Sequence, residues 1–190
     1  LINNNNINNN VYFPLHVPND YSLTVRSPKY NHQYDIAKRL AQICKNKKLN
    51  LFIKEHPAGI GDFKLSEVKS LVGNGVTFLN PIENTYDVLK KIGIIVTINS
   101  KSGAEGIIQN KTVIALGNSF YSCSGMIYSA TIDNLDKIIT MAKPSNEKLE
   151  YSDFFSNVFE KSFDCELYNN NSLNLENMSK ILIKYFETKY

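Results

Sequence analysis

The sequence has few of the residues that make disulfides or metal sites. It contains three histidines with no H-x-x-x-H or Asp-x-Asp pattern, which gives no ligand set for a metal ion. Its cysteines are three in number and far apart, and the odd count argues against a disulfide framework. They are Cys44, Cys123 and Cys165. We therefore predict a protein of a reducing, cytoplasmic setting that uses neither a metal ion nor a cofactor.

Long apolar runs and blocks of one charge are also missing. The longest apolar stretch is well short of the ~20 residues that a membrane helix needs, and the chain does not open with a signal-peptide pattern. The net charge is only +3, with both signs mixed along the sequence. So mild a charge predicts no nucleic-acid partner. With 190 residues, the chain is long enough for one domain with a sizeable core.

Asparagine, in contrast, is abundant at the start of the chain. Residues 1–10 read LINNNNINNN, a polar tract that buries too little apolar surface to fold alone. We interpret this tract as a linker, the chain starting at Leu1 rather than Met because an upstream portion precedes it. Residues 11–190 are then expected to form one domain that ends in a helical tail.

Short apolar runs alternate with helical patterns through most of the chain. Strands are predicted over 11–15, 49–53, 76–79, 94–98, 112–116 and 128–132, and helices over 31–46, 64–71, 84–92, 102–109 and 135–142. Two further helices are expected over 147–159 and 176–186. The β-α alternation predicts an α/β fold: a Rossmann-like, doubly wound parallel sheet with helices on both faces and extra C-terminal helices.

Two polar clusters directly follow strands of this predicted sheet. Lys54-Glu55-His56-Pro57 follows one strand, and residues 99–105 (NSKSGAE) follow another and open a helix. Ligands of open α/β sheets bind beyond the carboxyl ends of the strands, and unpaired amides at a helix start attract phosphate. The pattern favours a nucleotide site, although an ordinary capped helix and a loop histidine would give the same residues.

Four short motifs occur in a fixed order between Val11 and Gly125. They are Phe13-Pro14-Leu15-His16; Lys54-Glu55-His56-Pro57; Asn99-Ser100 with Gly103 and Glu105; and Leu116-Gly117 followed by Tyr121 and Gly125. The series resembles the bacterial capsule polysaccharide synthesis and export family, whose members look like Kdo transferases of the GT-B type. The resemblance implies that this chain is the C-terminal, donor-binding half of such a glycosyltransferase.

The resemblance also implies a donor site. In this family, and in GT-B sialyltransferases, a His-Pro motif and a serine-containing motif hold the nucleotide and phosphate of a CMP-sugar. The donor-binding residues it implies are His16, Lys54, His56, Pro57, Asn99, Ser100, Ser102, Gly103 and Glu105. Glu105 would contact the ribose or base. No catalytic base is assigned: Asp35 and Glu55 are interpreted as surface or ion-pairing residues.

The implied function is transfer of a sugar, CMP-Kdo being the expected donor, to a saccharide or glycolipid acceptor. The implied partners are a missing N-terminal Rossmann-like domain and a capsule assembly complex at the inner face of the cytoplasmic membrane. Three alternatives stay open, because a fold does not fix a function. They are a nucleotide-sugar epimerase or CDP-polyol phosphotransferase, a non-catalytic nucleotide-binding module, and a doubly wound domain with an unrelated small ligand.

Overall fold

The computed structural model describes residues 2, 4–123, 125–142, 151–166 and 169–189. The chain divides into two compact units, Leu1–Leu149 and Glu150–Tyr190. The first unit holds a parallel sheet. Its strands are β1 (Asn10–Pro14), β2 (Asn50–Lys54), β3 (Val76–Phe78), β4 (Ile94–Thr97), β5 (Thr112–Ala115) and β6 (Tyr128–Ser129).

The strands lie in the order β3-β2-β1-β4-β5-β6, and each neighbouring pair in this order is parallel. The chain therefore builds the sheet outward from β1 in one direction and then returns to build it outward from β4 in the other. The point between β1 and β4, where the direction changes, is the place at which doubly wound sheets bind ligands. This confirms the predicted fold class.

Helices cover both faces of the sheet. Those of the first unit are α1 (Tyr21–Thr24), α2 (Gln33–Lys47), α3 (Leu65–Gly73), α4 (Thr85–Leu89), α5 (Lys101–Ile108) and α6 (Leu135–Met141). The longer ones, such as α2 and α5, form where apolar residues recur at helical spacing, so that one side of the helix can be buried.

The two faces can be told apart by the alternation of side chains along a strand. Ile94 and Val96 of β4 belong to one buried cluster with residues of α2, α3 and α6. Ile95 points the other way, and there Gly106 of α5 packs so closely that an added Cβ would collide with its Cδ1. Helix α4 contacts α5 on this second face. The two helices that reach the carboxyl edge near β4 therefore share one side of the sheet.

The last residues of the tract interpreted as a linker are part of the folded structure. Residues Asn4–Asn9 form a 3-10 segment, kinked at Asn6, that leads directly into the sheet. Asn10 is the first residue of β1 and is buried: its Nδ2 donates to Lys91 O (2.9 Å) and its Oδ1 accepts from Asn50 (3.0 Å). Asparagine can enter a strand here because neighbouring groups satisfy its amide. The division of the chain into linker and donor domain stays a prediction.

The second unit contains α7 (Ser152–Glu160) and α8 (Ser172–Lys189). The first part of the helix predicted over 147–159 lies outside the described residues. Helix α8 begins earlier than expected because the side chain of Asn171 accepts a hydrogen bond from Asn174 N at 2.8 Å, as a helix cap does. Asn174 in turn donates to Glu166 O (2.8 Å), which fixes the turn before the helix.

Candidate functional site

A cavity of about 450 Å³ opens beyond the carboxyl ends of β1 and β2, beside the starts of α4 and α5. It lies at the change of direction in the sheet. The described residues that line it are Tyr12, Pro14, Leu15, Lys54, Glu55, His56, Pro57, Pro81, Ile82, Glu83, Asn84, Thr85, Tyr86, Ser100, Lys101, Ser102 and Glu105. Both polar clusters of the sequence therefore reach one cavity.

The serines of this cavity sit at the start of α5. Ser100 is the N-cap: its Oγ accepts from Ser102 N at 3.2 Å, and its own N–H donates to Thr97 Oγ1 at 2.9 Å. The two serine hydroxyls are 3.4 Å apart, a long separation for a hydroxyl pair. The hydroxyl of Ser100 can therefore turn toward a ligand next to the positive end of the helix dipole, and that of Ser102, which also bonds Tyr12, lies beside it.

His56 presents a defined donor to the same cavity. It caps the short 3-10 turn Pro57–Gly59, and its Nδ1 accepts a hydrogen bond from Ala58 N at 3.1 Å. A ring nitrogen that accepts carries no proton, so the neutral ring holds its proton on Nε2. His56 is thus oriented as an Nε2–H donor, which suits a phosphate oxygen.

Lys54 and Tyr12 form the floor of the cavity. The ammonium of Lys54 donates to Glu83 O (2.6 Å) and to Thr85 Oγ1 (2.9 Å). Burial lowers the pKa of Lys54, an effect that the charges of Glu83 and Glu105 oppose. The hydroxyl of Tyr12 is buried as well, and burial raises its pKa with support from the charge of Glu105, while hydrogen bonds to Ser102 and Thr85 act in the opposite direction. Tyr12 is therefore a neutral phenol.

Glu105 lies one turn inside α5, and its side chain is partly exposed to the cavity. The ammonium of Lys101 is 3.9 Å from its carboxylate, at the outer limit of an ion pair. This leaves carboxylate oxygens free to accept hydrogen bonds from a ligand hydroxyl. The position agrees with the predicted contact to ribose or base, which stays a prediction.

Three predicted site residues lie outside the set of described residues that line the cavity. Asn99 donates from Nδ2 to Ser22 O (2.7 Å) and Ser27 Oγ (3.1 Å), so it ties the segment after β1 to the end of β4. His16 is held by Gln33, whose side chain bonds both its N–H (2.7 Å) and its C=O (2.9 Å).

Gly103 is the third. An added Cβ there would overlap the ring of Tyr121, with Cε2 at 2.8 Å. Tyr121 is fully buried and donates from its hydroxyl to Ser100 O at 2.6 Å. Gly103 therefore allows the ring of Tyr121 to pack against the first turn of α5, and this contact stabilises that turn.

The sequence reasoning missed one wall of the cavity. This wall, called here the 81–86 wall, connects β3 to α4 and consists of Pro81, Ile82, Glu83, Asn84, Thr85 and Tyr86. Its one available signal was Asn84, the predicted helix cap, whose Oδ1 accepts from Tyr86 N at 2.8 Å. From that cap, the start of α4 could have been predicted to lie beside the start of α5 at the site.

The fold and this cleft define a doubly wound α/β domain with one ligand-sized cavity at its topological switch point. The comparisons then give the family. The family model for "capsule polysaccharide biosynthesis protein" matches residues 2–161 of the sequence. The chain therefore belongs to that family. This confirms the family resemblance of the four motifs. No helix within the described ranges combines the length and apolar character needed to cross a membrane.

Two relatives illustrate the similarity. Protein FixF of Sinorhizobium fredii is 34% identical over 122 residues, which are 62% of this chain and 28% of FixF. The beta Kdo 2,7 transferase structure of KpsC from Thermosulfurimonas dismutans superimposes with a TM-score of 0.52 at 22% identity, covering 65% of this chain and 39% of that chain. The latter likeness establishes the fold alone. The chain spans well under half the length of either relative.

Proposed function

We propose that this chain is the donor-binding part of a glycosyltransferase of capsule polysaccharide synthesis, and that its cavity holds a CMP-activated sugar, CMP-Kdo being the expected donor. The carrying observation is the convergence of His56 Nε2–H, two serine hydroxyls and the start of α5 on one cavity. The name of the KpsC structure, a beta Kdo transferase, supports Kdo as the sugar.

In the proposed reaction, the bond between the sugar and the phosphate oxygen of CMP breaks and a bond from the sugar to an acceptor hydroxyl forms. The acceptor proton leaves to a base that is not assigned. Negative charge develops on the departing phosphate, and His56 with the first turn of α5 is already oriented to receive it. Such preorganised donors need no rearrangement as the charge appears.

The acceptor, a saccharide or glycolipid, and a second Rossmann-like domain belong to the proposal as partners. So does a cytoplasmic location with attachment to a capsule assembly complex at the membrane. The family supports these parts of the proposal, and so does the length of its relatives, of which this chain covers 28% in one case and 39% in the other.

The test is calorimetric titration with CMP, CDP, UDP and ADP side by side. We expect selective binding of CMP. His56→Ala and Ser100→Ala should each weaken it by about 1–3 kcal/mol, the range for a hydrogen bond to a charged group. His32→Ala and Ser66→Ala, exposed residues outside the cavity lining, are the matched controls.

Two further variants separate the ligand contact from the fold. His56→Asp can keep the cap on Ala58 N but has no side-chain donor, and Ser100→Asp can keep the helix cap but repels a phosphate. Both should retain stability and lose CMP. Preference for UDP or CDP would favour the rival enzymes, and unchanged CMP affinity in His56→Ala and Ser100→Ala would refute the site.

A further inference from the structure

The ammonium of Lys54 is directed at protein groups in the cavity. Lys54 ends β2 and is buried, with 6% of its surface exposed. Two of its three protons are donated to the 81–86 wall, one to Glu83 O and one to Thr85 Oγ1. A lysine presents only three donors, so little of this group remains for a phosphate.

Acidic side chains near Lys54 also favour its present position. The carboxylates of Glu83 and Glu105 both act on Lys54 electrostatically. Both charges oppose the effect of burial on the pKa of Lys54, so they favour its charged form in the place where it already lies. Because Lys54 already donates to Glu83 O and Thr85 Oγ1, His56 and the start of α5 are the better candidates for the phosphate.

The wall that Lys54 holds carries exposed apolar side chains. Ile82 is 75% exposed and Tyr86 is 46% exposed, although both line the cavity. Local bonds give the wall its shape, since Asn80 Oδ1 accepts from Ile82 N (3.1 Å) and Asn84 caps α4. The bonds from Lys54, and a hydrogen bond of Tyr12 to Thr85, connect that shaped segment to the strand ends.

We propose that Lys54 is a positioning residue that fixes the 81–86 wall to the end of β2, so that Pro81, Ile82 and Tyr86 form a preorganised apolar surface for the nucleoside part of the donor. The inference rests on the proposed function. A planar base laid against this surface would cover side chains that are otherwise in water, and a wall already in place loses little entropy when the ligand binds.

The test compares CMP with cytidine, which lacks the phosphate. In Lys54→Met the dissociation constants of both ligands should rise together, by roughly 3- to 30-fold for one to two lost hydrogen bonds, with their ratio unchanged. Ser100→Ala should instead weaken CMP and spare cytidine. If Lys54→Met weakens CMP while cytidine binds as before, Lys54 is a phosphate ligand and the proposal is overturned.

A second variant guards against a general loss of structure. Thr85→Val removes one anchor and leaves the ammonium in place, so it should act in the same direction as Lys54→Met but more weakly. The double variant should be no worse than Lys54→Met, because both changes break one connection. Lys69→Met changes an exposed lysine of α3 outside the cavity lining; it is the matched control and should leave cytidine affinity unchanged.

A ligand-free measurement separates this inference from the proposed function. Amide hydrogen exchange at Ile82, Glu83 and Tyr86 should be faster in Lys54→Met than in the parent chain or in Lys69→Met. Exchange that does not change would overturn the role of Lys54 whatever the protein binds. Failure of the parent chain to bind CMP would refute the proposed function while the exchange result still decides whether Lys54 holds the wall.

Discussion

Some residues next to the cavity, such as Asn99 and Tyr121, stabilise its walls without lining it. Sequence reasoning could identify His56, Ser100 and Ser102, because a polar residue directly after a buried strand must lie at the carboxyl edge. It could not separate them from Asn99, which occupies the same edge but donates to Ser22 and Ser27. That difference depends on where the segment after β1 folds, a long-range contact that no local pattern encodes.

His16 provides a prediction about pH at this scale. Burial lowers its pKa below the ordinary value of 6.5, nearby Asp20 opposes the shift, and His56 adds to it. The unfolded chain therefore binds a proton at a higher pH than the folded one. The contribution of neutral His16 to stability is fully present above the pKa of the unfolded chain. It is lost as the pH falls from that value toward the lower pKa of the folded chain.

We expect the parent chain to lose more free energy of unfolding than His16→Gln between about pH 7 and pH 5. Urea denaturation at a series of pH values measures this difference. His32→Gln, which changes an exposed histidine, should follow the parent curve. Parallel pH curves for the parent and His16→Gln would contradict the assignment of the acid sensitivity to His16.

At the scale of elements, strong periodic patterns were predictable and short irregular ones were not. The observed β2, β4, β5, α2 and α5 lie within one or two residues of their predictions, because buried β-branched runs and amphipathic spacing are local signals. The four-residue helix α1 was missed. It forms because Asp20 caps it through Ser22 N (3.3 Å) and Leu23 is buried, and a single turn carries too little periodicity to detect.

The junction between α5 and the loop after β5 gives a prediction at this scale. Gly103→Ala should lower the free energy of unfolding by about 1–3 kcal/mol, because the new methyl group meets the buried ring of Tyr121. The ring cannot simply turn away, since its hydroxyl is bonded to Ser100 O. Chemical denaturation monitored by circular dichroism measures the effect.

Gly73→Ala is the matched control for that change. Gly73 ends α3, and an added Cβ would find nothing within 4 Å. Alanine there should leave stability unchanged or raise it by up to about 1 kcal/mol, since it favours the helix. A Gly103→Ala protein as stable as the parent would show that α5 and Tyr121 separate easily. That result would contradict the close packing of Gly103 against the Tyr121 ring.

For the whole molecule, the sequence predicted one sheet-based domain with a helical tail, and the structure contains two compact units with a boundary at Leu149. Periodicity identifies helices but does not show which of them pack together, so a unit boundary among C-terminal helices is not a local property. The buried cluster on one face of the sheet draws its members from Val11 to Ala142, all of them in the first unit.

The first unit should therefore fold and bind by itself. Every described residue that lines the cavity lies between Tyr12 and Glu105, within Leu1–Leu149. We expect a chain that ends at Leu149 to unfold in one cooperative transition and to bind CMP with the affinity of the full chain, and His56→Ala to weaken binding equally in both lengths. Thermal unfolding and calorimetry measure these properties. A shortened chain that folds but no longer binds would show that Glu150–Tyr190 supplies part of the site, and one that does not fold would show that the two units are stable only together.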